Sequence, residues 1–266
     1  MKGRSALLYC STNINNKPKG QTMNAEQSLR EDLAALYRIF DHLGWSELIF
    51  NHITVKLPGD EGHFLINPYG LHYSEVTASN LVKVDIDGNI VEPTEHFVNP
   101  AGMLIHSCVH AARHDILCIA HTHTTAGMTV ACQEGGLRPD NFYSTLLHGR
   151  IAYHDFEGIT VDESEKERLV ANLGSEAMMM ILRNHGLLAG GRTIAEAFLN
   201  MWALERSCQI QTSVDQTGVK QIQVRPEVLS RTEELTKIQG MGQPTGALEF
   251  AAMKRIIEKK DPSYKD

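Results

Sequence analysis

The chemistry-bearing residues of this 266-residue chain are its histidines. All 13 lie between His42 and His185, and five crowd between His106 and His123. Two of them stand as His121-Thr122-His123 at the end of an apolar run that starts at Ile116. In a strand, residues i and i+2 point to the same face, so two imidazoles emerge side by side. That arrangement suits two ligands on one transition metal. His185 follows a second apolar run, Ala177 to Leu182, and is flanked by the turn residues Asn184 and Gly186. Gly186 admits a positive φ and a close backbone approach. A third imidazole from a neighbouring strand end leaves one coordination position open, as in a catalytic rather than a closed structural site. Two exposed histidines at a strand end are the plain alternative for His-x-His taken alone.

The elements that must hold these residues can be read from periodicity. Leu29, Leu33, Leu36, Phe40 and Leu43 share one helix face from Ala25 to the stop at Gly44. His52 to Leu57 alternates as a strand, Pro58-Gly59-Asp60 turns it, and His63 to Ile66 returns as the second arm of a hairpin. Leu81 to Ile86 is a further strand before an Asp87-Gly88 turn. Met103 to Arg113 and Glu165 to Leu173 read as helices. Thr193 and Glu196 have capping-box spacing and open a long helix to about Gln211. The chain from Glu227 on is helical in composition. Residues 1–24 read as a flexible polar tail, 25–240 as one α/β domain, and 241–266 as a helical extension of it.

Composition excludes several classes. Hydrophobic residues make up 42% and charged residues 21%, and the formal net charge is −7. That balance argues against binding nucleic acid through phosphate neutralisation and against docking on anionic lipid. No run approaches the roughly 20 apolar residues of a membrane span. Five cysteines without CxxC spacing fit a reducing compartment, so a cytoplasmic location is expected. No GxGxxG motif follows a strand, which sets aside a nucleotide-binding oxidoreductase.

Six segments, taken in order and spacing, resemble the class II aldolase/adducin family. They are Phe50 to Thr54, Asn67-Pro68-Tyr69-Gly70, the helix around His106, Arg113-His114-Asp115, His121-Thr122-His123 and Asn184-His185-Gly186. The similarity runs roughly from Ser28 to Gln211. It implies a three-layer α/β/α fold around a mostly antiparallel sheet, and a homotetramer with sites at subunit boundaries. It also implies one divalent transition metal on His121, His123 and His185, with zinc favoured over manganese and iron.

Two departures from the family pattern bear on activity. Family aldolases bind a substrate phosphate at the places of Asn51, of a Thr-Gly pair and of a Ser-Ser pair. Asn51 fits, but the pairs here read Tyr69-Gly70 and Pro100-Ala101. A bulky ring, an imide without N–H and a methyl group do not make a phosphate pocket. Asn51, Asn67 and Gly70 remain as substrate-binding candidates. The acid/base carboxylate of the aldolases falls at Gly102, which has no side chain; Glu92 and Glu95 lie upstream. His106 matches a recurrent family histidine. It is a proton carrier, a fourth ligand, a group behind the ligands, or a structural histidine. His106, His110 and His114 share a helical stripe, the last two expected on the solvated side. Tyr153, His154 and Glu157, in the adducin-like stretch Ile151 to Gly158, line the metal cavity, a subunit contact or an ordinary strand and turn. Arg183 and Glu205 are expected in structural ion pairs.

These features favour a metal-dependent lyase, a decarboxylase or aldolase-like enzyme. Its substrate would be a small non-phosphorylated hydroxy or oxo acid that passes through a metal-stabilised enolate. Decarboxylation starts without a base, which suits the missing carboxylate. The alternatives are a non-catalytic adducin-like scaffold, and an iron-dependent oxygenase on the same three histidines.

Overall fold

A computed structural model describes residues 25–57, 59, 62–158, 164–238 and 244–266. The expected tail, 1–24, lies outside them. In chain order the elements are α1 (Ala25–His42), β1 (His52–Lys56), β2 (Phe64–Ile66), β3 (Val82–Val84), α2 (Pro100–Ala112) and β4 (Cys118–Thr122). They continue with α3 (Thr125–Ala131), α4 (Phe142–Leu146), β5 (Ile151–His154), α5 (Glu165–Leu173), β6 (Met179–Leu182) and β7 (Gly186–Gly191). The last are α6 (Ile194–Gln216), α7 (Pro226–Ile238) and α8 (Ala247–Lys260).

Among the described residues seven strands form one sheet in the order β3-β2-β1-β4-β7-β6-β5. Every pairing is antiparallel except β5 with β6. The fold is the mixed α/β arrangement that the sequence implied, with helices on both faces. Strand alternation sends Ile53, Val55, Cys118 and Ala120 to one face, where they pack with α1, α6 and α8. Burying Leu33, Leu36 and Phe40 of α1 there contributes about 1.5–3 kcal/mol per side chain. The opposite face presents Ile119, Met180 and Leu188 to Ile105 and Val109 of α2 and Leu169 of α5. On that second face β1 carries His52 and Thr54, both buried. The site therefore lies where the sheet meets α2.

Local chemistry sets the element ends near the site. α2 starts three residues before its apolar pattern does. Asn99 accepts from the N–H of Ala101 as N-cap, and Pro100 takes the first helical position, where no N–H is needed. The helix stops at Ala112, so His114 leaves the expected stripe and is exposed. His110 departs from expectation in the opposite sense: it is buried, not solvated. Arg113 closes the turn, holding Asp115 at 2.8 Å and the carbonyls of Gly174 and Ala177 at 2.8 and 2.9 Å. The end of α2 is thereby tied to the segment that leads into β6. α6 runs to Gln216, beyond the expected end, with Thr193 capping the N–H of Glu196 at 3.0 Å.

Candidate metal centre

β4 and β7 are adjacent and antiparallel, and Thr122 stands opposite Leu187. The hairpin between β6 and β7 pairs Leu182 with Gly186, so His185 sits in its tight loop beside the end of β4. Asn184, with φ +57°, supplies the left-handed turn residue, and Gly186 is not among the positive-φ positions. Gly186 serves close approach instead: a Cβ there would stand 2.4 Å from the carbonyl oxygen of Thr122.

These elements bring His121, His123 and His185 together. One ring nitrogen of each lies within 4.8 Å of the other two. Their ring centroids are 4.6–4.9 Å apart. The Nδ1–H of His121 donates to the carbonyl of Leu187 at 2.9 Å, which leaves Nε2 bare; that nitrogen meets Nε2 of His123 at 2.7 Å. Burial lowers all three pKa values, that of His185 to about 4, with His123 and His154 adding to the effect. On His123 the Glu47 carboxylate partly opposes the shift. Neutral imidazoles with converging ring nitrogens, able to give up the His123 proton that now bridges two of them, are what a divalent transition ion requires. The donor set fits such an ion.

The other expected site residues divide into three groups. His106 is buried behind His52, its Nε2 3.0 Å from His52 Nδ1, and is not one of the three converging groups. His154 flanks His185 on the side away from His52. Its Nδ1 accepts from the Asn172 amide at 2.8 Å, and its Nε2 lies 3.3 Å from Glu165 and 3.9 Å from Glu157. His154, Glu157, Arg183 and His185 line one small cleft. Tyr153 instead accepts from the N–H of Leu137, under the Arg183 guanidinium at 4.8 Å from its ring.

The third group lies on the Tyr37 side of β1. The Tyr37 hydroxyl joins the backbone of Ile53 to Asn67, whose Oδ1 is 2.9 Å away. Asn51 donates to the carbonyl of Trp45 at 3.3 Å, and its buried Oδ1 has no donor among the described residues. Gly70, at φ +103°, has open space where a Cβ would be. Arg183 reaches Asp155 at 3.5 Å, as an ion pair. Glu205 takes hydrogen bonds from Thr124 and Gln209 instead, and its burial raises its pKa.

Gly102 holds an unexpected relation. A Cβ on it would stand 2.4 Å from Cδ2 and 2.7 Å from Nε2 of His52. The imidazole of His52 fills the space that a side chain at 102 would occupy. His52 also stands directly opposite His121 across the β1–β4 ladder, with ring centroids 5.1 Å apart. Glu92 is engaged with Arg30 and Lys83, at 2.7 and 3.4 Å, and is not drawn to the site. Nothing in the sequence alone assigns a role to His52 or Thr54. Their i, i+2 spacing on a strand was the available signal, but the partner strand was needed to give it meaning.

Residues 31–212 match the family model described as the class II aldolase and adducin N-terminal domain. The chain belongs to this family. A solved aldolase II superfamily protein from Pseudomonas syringae is 44% identical, with a TM-score of 0.85 over 91% of this chain and 96% of that one. An L-fuculose 1-phosphate aldolase from Glaciozyma antarctica is 28% identical, with a TM-score of 0.79 over 94% and 97%. Alpha-adducin of Rattus norvegicus is 42% identical over 88% of this chain but only 33% of its own length. The similarity thus reaches both an enzyme and a part of a longer adducin. Among the described residues no helix is long and apolar enough to cross a membrane.

Proposed function

We propose that this chain is a divalent-metal-dependent carbon–carbon lyase acting on a small hydroxy or oxo acid without a phosphate. The observation that carries the reading is the converging, neutral His121, His123 and His185 set. His121, His123 and His185 would hold a divalent ion, zinc by preference, which would supply Lewis acidity to the oxygens of the substrate. The chain's own residues do the rest. Leu187 fixes the His121 tautomer through its carbonyl. Asn51 offers an Oδ1 acceptor that has no donor among the described residues. His154 and Glu157 bring polar tips into the cleft shared with His185.

The absence of phosphate follows from the start of α2 and the loop before it. Pro100 has no N–H, and the N–H of Ala101 is already taken by Asn99. Tyr69 lies in edge contact with Phe97, 5.8 Å between ring centroids, where small polar residues would be wanted. Decarboxylation is favoured over aldol cleavage because Gly102 offers no acid/base group and His52 fills its space. A scaffold role is the second reading, supported by the identity with alpha-adducin. A scaffold alone has no chemical need for three neutral converging imidazoles. We further propose a cytoplasmic homotetramer, as the family resemblance implies.

The test is elemental analysis of untagged protein purified without chelator, beside His121→Ala and His185→Ala. The expected result is one transition metal per chain, absent from both variants, with carbon dioxide release from an oxo or hydroxy acid in a substrate screen. Iron with substrate-dependent oxygen consumption would instead establish the oxygenase alternative. No metal after reconstitution with zinc, manganese or iron would leave the scaffold reading.

A further inference from the structure

Behind the triad runs a line of four buried polar side chains: His52, His106, Thr54 and His110. Nδ1 of His110 is 3.3 Å from the carbonyl oxygen of Ile116. Nε2 of His110 is 2.8 Å from the Thr54 hydroxyl, which is 2.7 Å from Nδ1 of His106. Nε2 of His106 is 3.0 Å from Nδ1 of His52. A carbonyl oxygen can only accept, so His110 must donate to it from Nδ1. All three imidazoles are buried and none has a carboxylate as hydrogen-bond partner among the described residues, so each is neutral, with a single proton to place. His110 Nε2 is then bare and accepts from Thr54. The Thr54 oxygen, its one proton spent, accepts from Nδ1–H of His106. His106 Nε2 is bare in turn and accepts from Nδ1–H of His52. For neutral rings this is the only solution that leaves no two acceptors facing each other.

We propose that the Ile116 carbonyl, acting through this relay, fixes His52 with a bare Nε2 beside the triad, where it accepts a hydrogen bond from a hydroxyl of the bound ligand. Nε2 has no hydrogen-bond partner among the described residues, and His52 is 96% buried, with 4% of its surface exposed. The ring faces His121 across the ladder, with centroids 5.1 Å apart. It is not one of the three groups that converge within 4.8 Å, which makes it an acceptor beside the centre rather than a fourth ligand. Gly102 is what lets it stand there: any Cβ would meet the ring at 2.4 Å. His106, Thr54 and His110 are positioning residues. The acceptor role is specific, since a bare nitrogen selects a ligand that presents O–H over one that presents only carbonyl oxygen. This last step rests on the metal-centred reading above; the tautomer assignment does not.

The tautomers are read by long-range proton–nitrogen correlation NMR of histidine-¹⁵N-labelled protein, apo and zinc-loaded, with His52 signals identified by their loss in His52→Gln. The expected result is a proton on Nδ1 and a bare Nε2 in His52, His106 and His110. In Thr54→Val, His106 and His52 should lose that fixed pattern while His110, still bonded to Ile116, keeps it. A proton on Nε2 of His52 in the parent protein overturns the relay, and so does a pattern unchanged in Thr54→Val. The acceptor role is tested by titrating the zinc-loaded protein with lactate, which carries a hydroxyl, and pyruvate, which does not. The ratio of the two affinities should fall about 5-fold in His52→Phe. An unchanged ratio, or no lactate binding in the parent, overturns that role. Failure of the parent to hold zinc, manganese or iron would refute the metal-centred reading and leave the apo tautomer result standing.

Discussion

Gly186→Ala tests how the triad is assembled. The added Cβ would lie 2.4 Å from the Thr122 carbonyl oxygen, where ordinary contact begins at 3.4 Å. β7 must therefore move away from β4 by about 1 Å, and backbone cannot rotate aside as a side chain can. Overpacking of this kind costs about 1–3 kcal/mol. Weakening the last rung of the ladder, Thr122 with Leu187, adds about 1 kcal/mol. Alanine returns about 0.5–1 kcal/mol, because glycine loses more freedom on folding. The net loss is about 1–3.5 kcal/mol, or about 2–7 °C in Tm for a chain of this size. His185 is the next residue and moves with the loop, so zinc affinity should fall about 10- to 100-fold. Gly190→Ala is the control. Its Cβ would meet Cγ2 of Ile116 at 2.8 Å, a side-chain atom that can yield, at the far end of the ladder from the triad. It should cost about 1–2 kcal/mol and leave zinc stoichiometry unchanged. Thermal melts and elemental analysis of both variants give the answer. Parent Tm and full zinc occupancy in Gly186→Ala would refute the close-approach argument.

Three further outcomes are expected. His123→Ala should lose stoichiometric metal and keep the far-ultraviolet circular dichroism of the parent, since its ring is only partly buried; full metal occupancy would remove it from the ligand set. Gly102→Glu should not turn over fuculose phosphate, because the new side chain collides with His52 and Pro100-Ala101 still offers no phosphate site; turnover would show that argument to be wrong. Burial depresses His52 and His110 from 6.5 to about 3. The unfolded chain therefore binds more protons than the folded one between about pH 6.5 and 3, and stability falls as pH drops through that window. Each group contributes a slope of about 1.4 kcal/mol per pH unit. Urea unfolding of the metal-free protein at a series of pH values checks this, and a flat profile below pH 6 would contradict it.

The parts of the fold that were legible in the sequence are those with one dominant period. The apolar face of α1, the β1–β2 hairpin and the span of α5 all follow from local pattern. The three converging histidines were legible because two share a strand end and the third sits in a turn with distinctive residues. The misreadings have a common cause: partners distant in sequence. His110 looks like a polar residue on a helix surface, yet Thr54 and Ile116 bury and satisfy it. His114 keeps helical spacing with His106, but Arg113 ends the helix by holding carbonyls sixty residues away. The strand pattern of β7 was hidden by its three glycines, which are there for contact with neighbouring backbone and side chains. The gap at Gly102 was visible; that His52 fills it was not, because this depends on β1 pairing with β4.

The ladder between β4 and β7 also bears on how the chain reaches its final state. His121 and His123 are neighbours as soon as β4 is extended, but His185 joins them only when two segments some sixty residues apart have paired. Closing a loop of that length costs chain entropy that bringing together neighbouring residues on β4 does not. A chain stalled before it carries two imidazoles, a weak chelate. A chain past it carries all three. An ion held more tightly by the full set than by the pair lowers the free energy of the finished sheet more than that of the unfinished one, by an amount set by the ratio of the two affinities. Metal supply would then act as a ratchet on maturation, draining half-paired chains towards the completed sheet and slowing their return.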